Sequence, residues 1–159
     1  MNINILCAGR IREKYLKDAV DEYSKRLSKF AKLTITEVAD EKEPNNASDA
    51  DRLNVINTEG ERLFSKIPER SYVIALAIDG KRLSSEGFAE KIERTALSGC
   101  GSITFIIGGS LGLSEKVLKR ADMKLSFSDM TFPHQLMRVI LLEQIYRAYK
   151  IINNEPYHK

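Results

Sequence analysis

Ile103-Thr104-Phe105-Ile106-Ile107-Gly108-Gly109-Ser110-Leu111-Gly112 is the stretch that decides the fold. Its first five residues are apolar or β-branched without a break, as in a strand buried on both faces of a helix-covered parallel sheet. The run then meets three glycines within five positions, where main chain lacking Cβ atoms approaches a ligand closely. Ser114 is placed to open the helix that follows. Strand, glycine loop and helix together form one unit of an open α/β sheet, in which ligands bind beyond the carboxyl ends of the strands.

The same alternation extends outward in both directions. Residues 3–8 read as a strand, and Leu16, Ala19, Val20, Tyr23, Leu27 and Phe30 recur on one face of a helix of about 17 residues. Residues 33–39 are rich in β-branched side chains and read as a second strand. Residues 40–48, with Pro44 and the Asn45-Asn46 pair, form a polar loop, and Ser48 caps a helix with Leu53, Ile56, Leu63 and Phe64 inward. A strand over 72–78, a turn at Asp79-Gly80 and a helix marked by Phe88, Ile92 and Ala96 precede the central run. After it come a strand over 124–128 and a long helix over 135–152, described by Leu136, Val139, Ile140, Tyr146 and Tyr149. The expectation is an α/β fold, a mostly parallel sheet with helices on both faces, with residues 1–159 as a single domain.

Composition narrows the function classes. With 159 residues, 43% hydrophobic and 30% charged, the chain fits one soluble domain, and folding at this length removes roughly 70% of the unfolded surface from water. No disulfide or structural metal is then needed. There is no apolar run of about 18 residues, and the short apolar opening has no basic segment before it, so membrane spanning and secretion are disfavoured. Cys7 and Cys100 form no C-x-x-C pair, and two histidines and the spaced carboxylates offer no recognisable metal set. A reduced, cytoplasmic setting without a metal is expected.

The net charge of +3 is unevenly spread. Residues 10–32 and 116–159 each hold eight Lys/Arg against four Asp/Glu, whereas 33–115 hold nine against fourteen. If the two ends meet in the fold they form a basic face suited to a polyanion; the alternative is two solvated amphipathic helices.

The loops after Ile78, Ile107 and Ser128 are the candidate walls of one pocket. The glycine loop is not a P-loop, because Leu113 stands where the second glycine would fall, and no G-x-G-x-x-G follows the first strand. Residues 128–134 (Ser-Asp-Met-Thr-Phe-Pro-His) offer backbone groups to a planar heterocycle, with Met130 and Phe132 to cover its faces. Arg138 and Arg147 are nine residues apart on one helix and project roughly 180° from each other, so a single chain is not expected to use both in one pocket. Glu143 is placed for a helical ion pair with Arg147, and the two cysteines read as core residues. The end, Pro156-Tyr157-His158-Lys159, sets a ring, an imidazole and a cation side by side, a group able to stack on a base, move a proton and contact a phosphate. An idle tail is the alternative.

Taken together, Gly108-Gly109-Ser110-Leu111-Gly112, the run Leu125-Ser126-Phe127-Ser128-Asp129-Met130-Thr131-Phe132-Pro133-His134, Glu143-Gln144-Ile145-Tyr146-Arg147-Ala148 and the closing Pro156-Tyr157-His158-Lys159 resemble the RlmH family. These are SPOUT-class methyltransferases that modify pseudouridine in bacterial large-subunit ribosomal RNA, and the resemblance spans the whole chain. It implies an α/β knot fold with a C-terminal trefoil knot, a feature so rare that physical reasoning alone would reject it. It implies binding of S-adenosylmethionine by Leu76, Gly108, Phe127, Ser128, Asp129, Met130, Thr131 and Phe132, without a metal. It further implies a homodimer with the last helix in the interface and the partner completing each active site. The implied reaction is methyl transfer to N3 of a pseudouridine in a 23S rRNA hairpin, within the ribosome, leaving S-adenosylhomocysteine. Tyr157 and His158 would position the base and assist loss of its proton, Arg147 or His134 would stabilise the charge that develops, and the basic segments would hold RNA phosphates. The alternatives are a non-catalytic nucleotide- or RNA-binding α/β module and a SPOUT methyltransferase acting on tRNA.

Overall fold

The computed structural model describes residues 1–157. They alternate β1 (Asn2–Ala8), α1 (Lys14–Leu27), β2 (Lys32–Val38), α2 (Asp49–Phe64), β3 (Tyr72–Arg82), α3 (Ser85–Leu97), β4 (Ser102–Ile107), α4 (Glu115–Arg120), β5 (Met123–Ser126) and α5 (His134–Ile152). The strands pair in parallel, as the alternation of strands and helices predicts, and their order in the sheet is β2-β1-β4-β3-β5.

Successive strand side chains point to opposite faces, and both faces are buried. In β1, Ile3, Ile5 and Cys7 enter a core with Val20 of α1, Phe88 and Ile92 of α3, and Leu141, Leu142 and Ile145 of α5. Leu6 and Ala8 face the other way, into a smaller core with Leu63 of α2 and Val117 of α4. Serines stop the helices from fraying at their starts: Ser48, Ser84 and Ser114 accept from the N–H groups of Asp51, Gly87 and Val117. Because α1 packs against α5, the two basic segments do meet. Burial pushes the Cys7 thiol up to about 12, and Cys100 is half-buried. No described helix is long and apolar enough to cross a membrane.

Four elements differ from the sequence expectation. Leu53 of α2 is 56% exposed, and the inward face is Val55, Glu59, Gly60 and Leu63. That face contains a glycine because α2 touches α4 closely: a Cβ on Gly60 would lie 2.1 Å from Ser114 Oγ. Asp79-Gly80 is no turn. β3 continues to Arg82 through a bulge at which Leu125 faces first Leu76 and then Lys81, and a Cβ on Gly80 would fall 2.7 Å from the backbone of Lys124. In α3 the buried partners of Phe88 and Ile92 are Ala89 and Thr95, with Ala96 exposed. α5 is apolar on two sides. Its buried face is Arg138, Leu141, Leu142, Ile145, Ala148 and Tyr149, while Leu136 is exposed and Val139 and Ile140 are half-buried.

Candidate active site

The carboxyl ends of β3, β4 and β5 enclose a cavity of about 610 Å³, within the size range of small-molecule sites. Its walls are residues 76–79, 107–113 and 125–128, joined by Met130, Thr131, Phe132, His134 and Met137. The glycine loop folds back on itself through the Gly112 N–H, which donates to Gly109 O at 3.1 Å, and Gly112 has φ of 91°. A Cβ on Gly108 would lie 2.8 Å from Gly112 O, so the crossing tolerates nothing larger. Beneath the loop, the Glu59 carboxylate occupies the space that a Gly109 side chain would need, 2.8 Å from the Cβ position. Glu59 is buried and accepts from the Glu41 N–H at 2.9 Å, and burial raises its pKa above the usual carboxylate value.

The opposite wall is ordered by serines. Ser126 Oγ donates to Ser128 O at 3.1 Å, and Ser128 Oγ accepts from the Met130 N–H at 3.0 Å. Asp129 does not border the cavity but forms an ion pair with Arg82 at the end of β3. His134 stands at the mouth on the first turn of α5; burial and the nearby Arg138 guanidinium lower its pKa, against a smaller opposing effect of Asp40. The imidazole is therefore neutral at pH 7, with one nitrogen to donate and one to accept.

Arg138 is 1% exposed, and its Nη atoms donate to Glu37 Oε2 at 2.6 Å and Gly9 O at 2.7 Å. Arg147 faces elsewhere, as the angular spacing predicts. Its Nη2 donates to Glu143 Oε1 at 2.6 Å, and the same oxygen accepts from Tyr157 Oη at 3.0 Å. The Tyr157 ring lies 4.3 Å from the Arg147 guanidinium and meets Tyr146 edge-on at 5.3 Å. Burial, together with the bond to Glu143, pushes the Tyr157 phenol up to about 12, so it is a hydrogen-bond donor at neutral pH.

The structure thus brings Leu76, Gly108, Phe127, Ser128, Met130, Thr131, Phe132 and His134 to one cavity. Arg147 and Tyr157 form a second group near the far end of α5, about 20 Å along its axis from His134 at 1.5 Å rise per residue. His158 lies outside the described residues. Sequence reasoning passed over Met137 and Glu59. Met137 follows His134 by one helical turn, a spacing that could have been used; nothing local marks Glu59, whose contacts are tertiary. Glu143 was read as an ion-pair partner alone, yet it also anchors Tyr157. No cluster of three or more metal-ligating side chains occurs among the described residues.

A doubly covered parallel sheet with a glycine-walled cavity at its carboxyl edge, between β3, β4 and β5, defines an α/β protein with a pocket of small-molecule size. The chain matches the family described as "Predicted SPOUT methyltransferase" over residues 1–158, and it belongs to the SPOUT methyltransferase family. Proteins named ribosomal RNA large subunit methyltransferase H from Clostridium novyi (strain NT) and Bifidobacterium animalis subsp. lactis (strain AD011) are 60% and 57% identical to it, each aligned over all 159 residues and the full length of both chains. The fold is shared with a probable methylase family protein from Haemophilus influenzae Rd KW20, with a TM-score of 0.56 at 13% identity, covering 99% of this chain and 70% of that one.

Proposed function

We propose that the protein is a cytoplasmic, S-adenosylmethionine-dependent methyltransferase that methylates N3 of a pseudouridine in 23S rRNA of the large ribosomal subunit and releases S-adenosylhomocysteine. The names of its full-length relatives support the RNA substrate. The observation that carries the cofactor is the cavity, which seven of the eight residues expected to bind it line together. Apolar Leu76, Phe127 and Phe132 flank exposed main chain at 108–112, a mixture that suits a heterocycle carrying a polar, charged arm.

Bound there, S-adenosylmethionine supplies a methyl group already activated by its sulfonium charge. The work of the chain is to align the acceptor, exclude water and manage one proton. Tyr157 and His158 position the base and assist loss of the N3 proton, which passes through the imidazole to solvent, while Glu143 holds the Tyr157 O–H and so fixes the ring. Arg147 or His134 stabilises the negative charge spreading onto the carbonyl oxygens. Because Arg147 and Tyr157 lie far along α5 from their own cavity, they serve the cavity of a second chain in a homodimer. The partly uncovered Leu136, Val139 and Ile140 of α5 supply the contact. The single domain over 1–159 and its C-terminal trefoil knot belong to the same reading.

The test pairs calorimetry with mass spectrometry of a pseudouridine-containing 23S rRNA hairpin and of large subunits. Binding of S-adenosylmethionine and S-adenosylhomocysteine, with one methyl gained at N3, is expected. Gly108→Ala should weaken cofactor binding at least about tenfold, since its Cβ has no room against Gly112. RNA binding without either cofactor would make the protein a non-catalytic module, and methylation of tRNA alone would give it a different substrate.

A further inference from the structure

We infer that the β1–α1 connection, with the first turn of α1, is the ledge on which the RNA substrate lies as it enters the site, Arg10 and Arg12 contacting phosphates and Tyr15 stacking on an unpaired base. This rests on the reading of the protein as an RNA methyltransferase and adds to it a particular surface.

Thirteen of the 24 lysines and arginines among the described residues are held in ion pairs. Lys14 pairs with Asp18, Arg26 with Glu22, Lys116 with Glu61, Arg138 with Glu37, Arg147 with Glu143 and Lys150 with Glu155. Arg10, Arg12 and Lys17 are exposed and take part in no ion pair among the described residues. Lys25, Lys29 and Lys32 are equally unpaired there but sit at the opposite end of α1, about 15 Å or more from its start. Lys42, Lys66, Arg70, Lys81 and Lys91 are likewise outside any ion pair among the described residues, and what marks Arg10 and Arg12 is a pair of arginines in one short segment tied to the start of α5 beside the cavity. The Arg12 N–H donates to Gln135 Oε1 at 3.1 Å, and Gln135 follows His134, which borders the cavity mouth.

The connection is held rigidly from behind. Gly9, with φ of 90°, offers its carbonyl to the buried Arg138, and the Ile11 N–H donates to Glu37 Oε2 at 3.0 Å. Main chain fixed at three points leaves the two arginine side chains facing solvent, so little backbone order has to be gained when a phosphate arrives. Tyr15 is 70% exposed and has no aromatic or cationic neighbour among the described residues, while Leu16 beside it is buried. Glu13 is the carboxylate within the ledge, and Asp18 is engaged by Lys14. An exposed ring and two arginines outside any ion pair, next to a nucleotide-sized cavity, match how proteins hold single-stranded RNA, with stacking for the base and guanidinium for the phosphate.

The experiment measures binding of the full chain to the pseudouridine hairpin by fluorescence anisotropy across a salt series, with methyl transfer and S-adenosylmethionine calorimetry alongside. The variants are Arg10→Ala/Arg12→Ala, Tyr15→Ala and Tyr15→Phe. The double variant should raise Kd about tenfold or more and flatten the slope of log Kd against log salt by about 1 to 2. Tyr15→Ala should raise Kd about tenfold with the slope unchanged, and Tyr15→Phe should bind within about twofold of the parent, because stacking needs the ring and not the hydroxyl. Cofactor affinity should be the same in all. If the parent methylates the hairpin and every variant binds and reacts as it does, the ledge is overturned alone. If the parent transfers no methyl to any ribosomal RNA, the functional reading falls. Loss of binding in Tyr15→Phe equal to that in Tyr15→Ala would also exclude stacking, and a defect seen with intact subunits but not with naked RNA would assign the surface to a ribosomal protein instead.

Discussion

His134 is held neutral by two causes that act together, its own burial and the positive charge of Arg138 one turn further along α5. The sign of the consequence follows from proton counting. Between the lowered folded pKa and the ordinary value of about 6.5, the unfolded chain binds a proton that the folded chain refuses, so stability rises with pH through that window. It is lost as pH falls below the ordinary value. Urea midpoints measured from about pH 7.5 down to about pH 5.5 should therefore drop in the parent and drop less in His134→Gln. Equal losses in the two, or an NMR titration placing His134 at or above the ordinary value, would remove the premise. Arg138 cannot relieve the effect by moving, since Glu37 and the Gly9 carbonyl fix its guanidinium in place.

At the scale of elements, α2 depends on a reciprocal pair at its start: Ser48 Oγ accepts from the Asp51 N–H at 3.1 Å, and Asp51 Oδ2 accepts from the Ser48 N–H at 2.9 Å. Ser48→Ala should cost about 1 kcal/mol in urea unfolding and leave cofactor affinity intact, because the cap lies at the far end of α2 from Leu63 and its core contacts. Such a cap is readable in the sequence because it is local. So are β4 and its glycine loop, where an unbroken apolar run and three glycines carry the whole signal. The inward face of α2 was not readable, because hydropathy counts Leu53 inward and Gly60 as a weak point, whereas the structure uses Gly60 to seat Ser114. The bulge in β3 escaped for a related reason. Asp79-Gly80 has the chemistry of a turn, and only the neighbouring backbone of β5 reveals that the glycine is there for close approach. For the site, the walls after β4 and β5 were legible as loops after strands, whereas the expected loop after Ile78 is absent and the wall at 76–79 belongs to β3 itself. The pairing of Asp129 with Arg82 and the carboxylate of Glu59 under Gly109 arise from contacts between distant segments, which no local pattern encodes.

At the scale of the whole molecule, the proposed site has to account for the separation of His134 from Arg147 on α5, with Tyr157 packed against Arg147. A helix of 19 residues is about 28 Å long, and its two ends cannot meet over one bound nucleotide. Two chains packed through the outer face of α5 remove the difficulty, since each can lend its far end to the other's cavity, and a twofold axis makes both sites equivalent. That geometry makes a prediction a one-chain site cannot imitate. Gly108→Ala damages the cavity and Arg147→Ala the lent end, so each variant alone should form dimers with both sites broken. When the two are unfolded together and refolded in equal amounts, half of the dimers should contain one chain of each kind. In those, one site combines both lesions and the other combines neither, so the mixture should recover about a quarter of parental methyl transfer. Were each site built within a single chain, every site in the mixture would keep one lesion and no activity would return. Restoration near a quarter, with Val139→Glu abolishing both dimer and restoration in sedimentation and activity assays, would establish that the acceptor base is held between two copies of this chain.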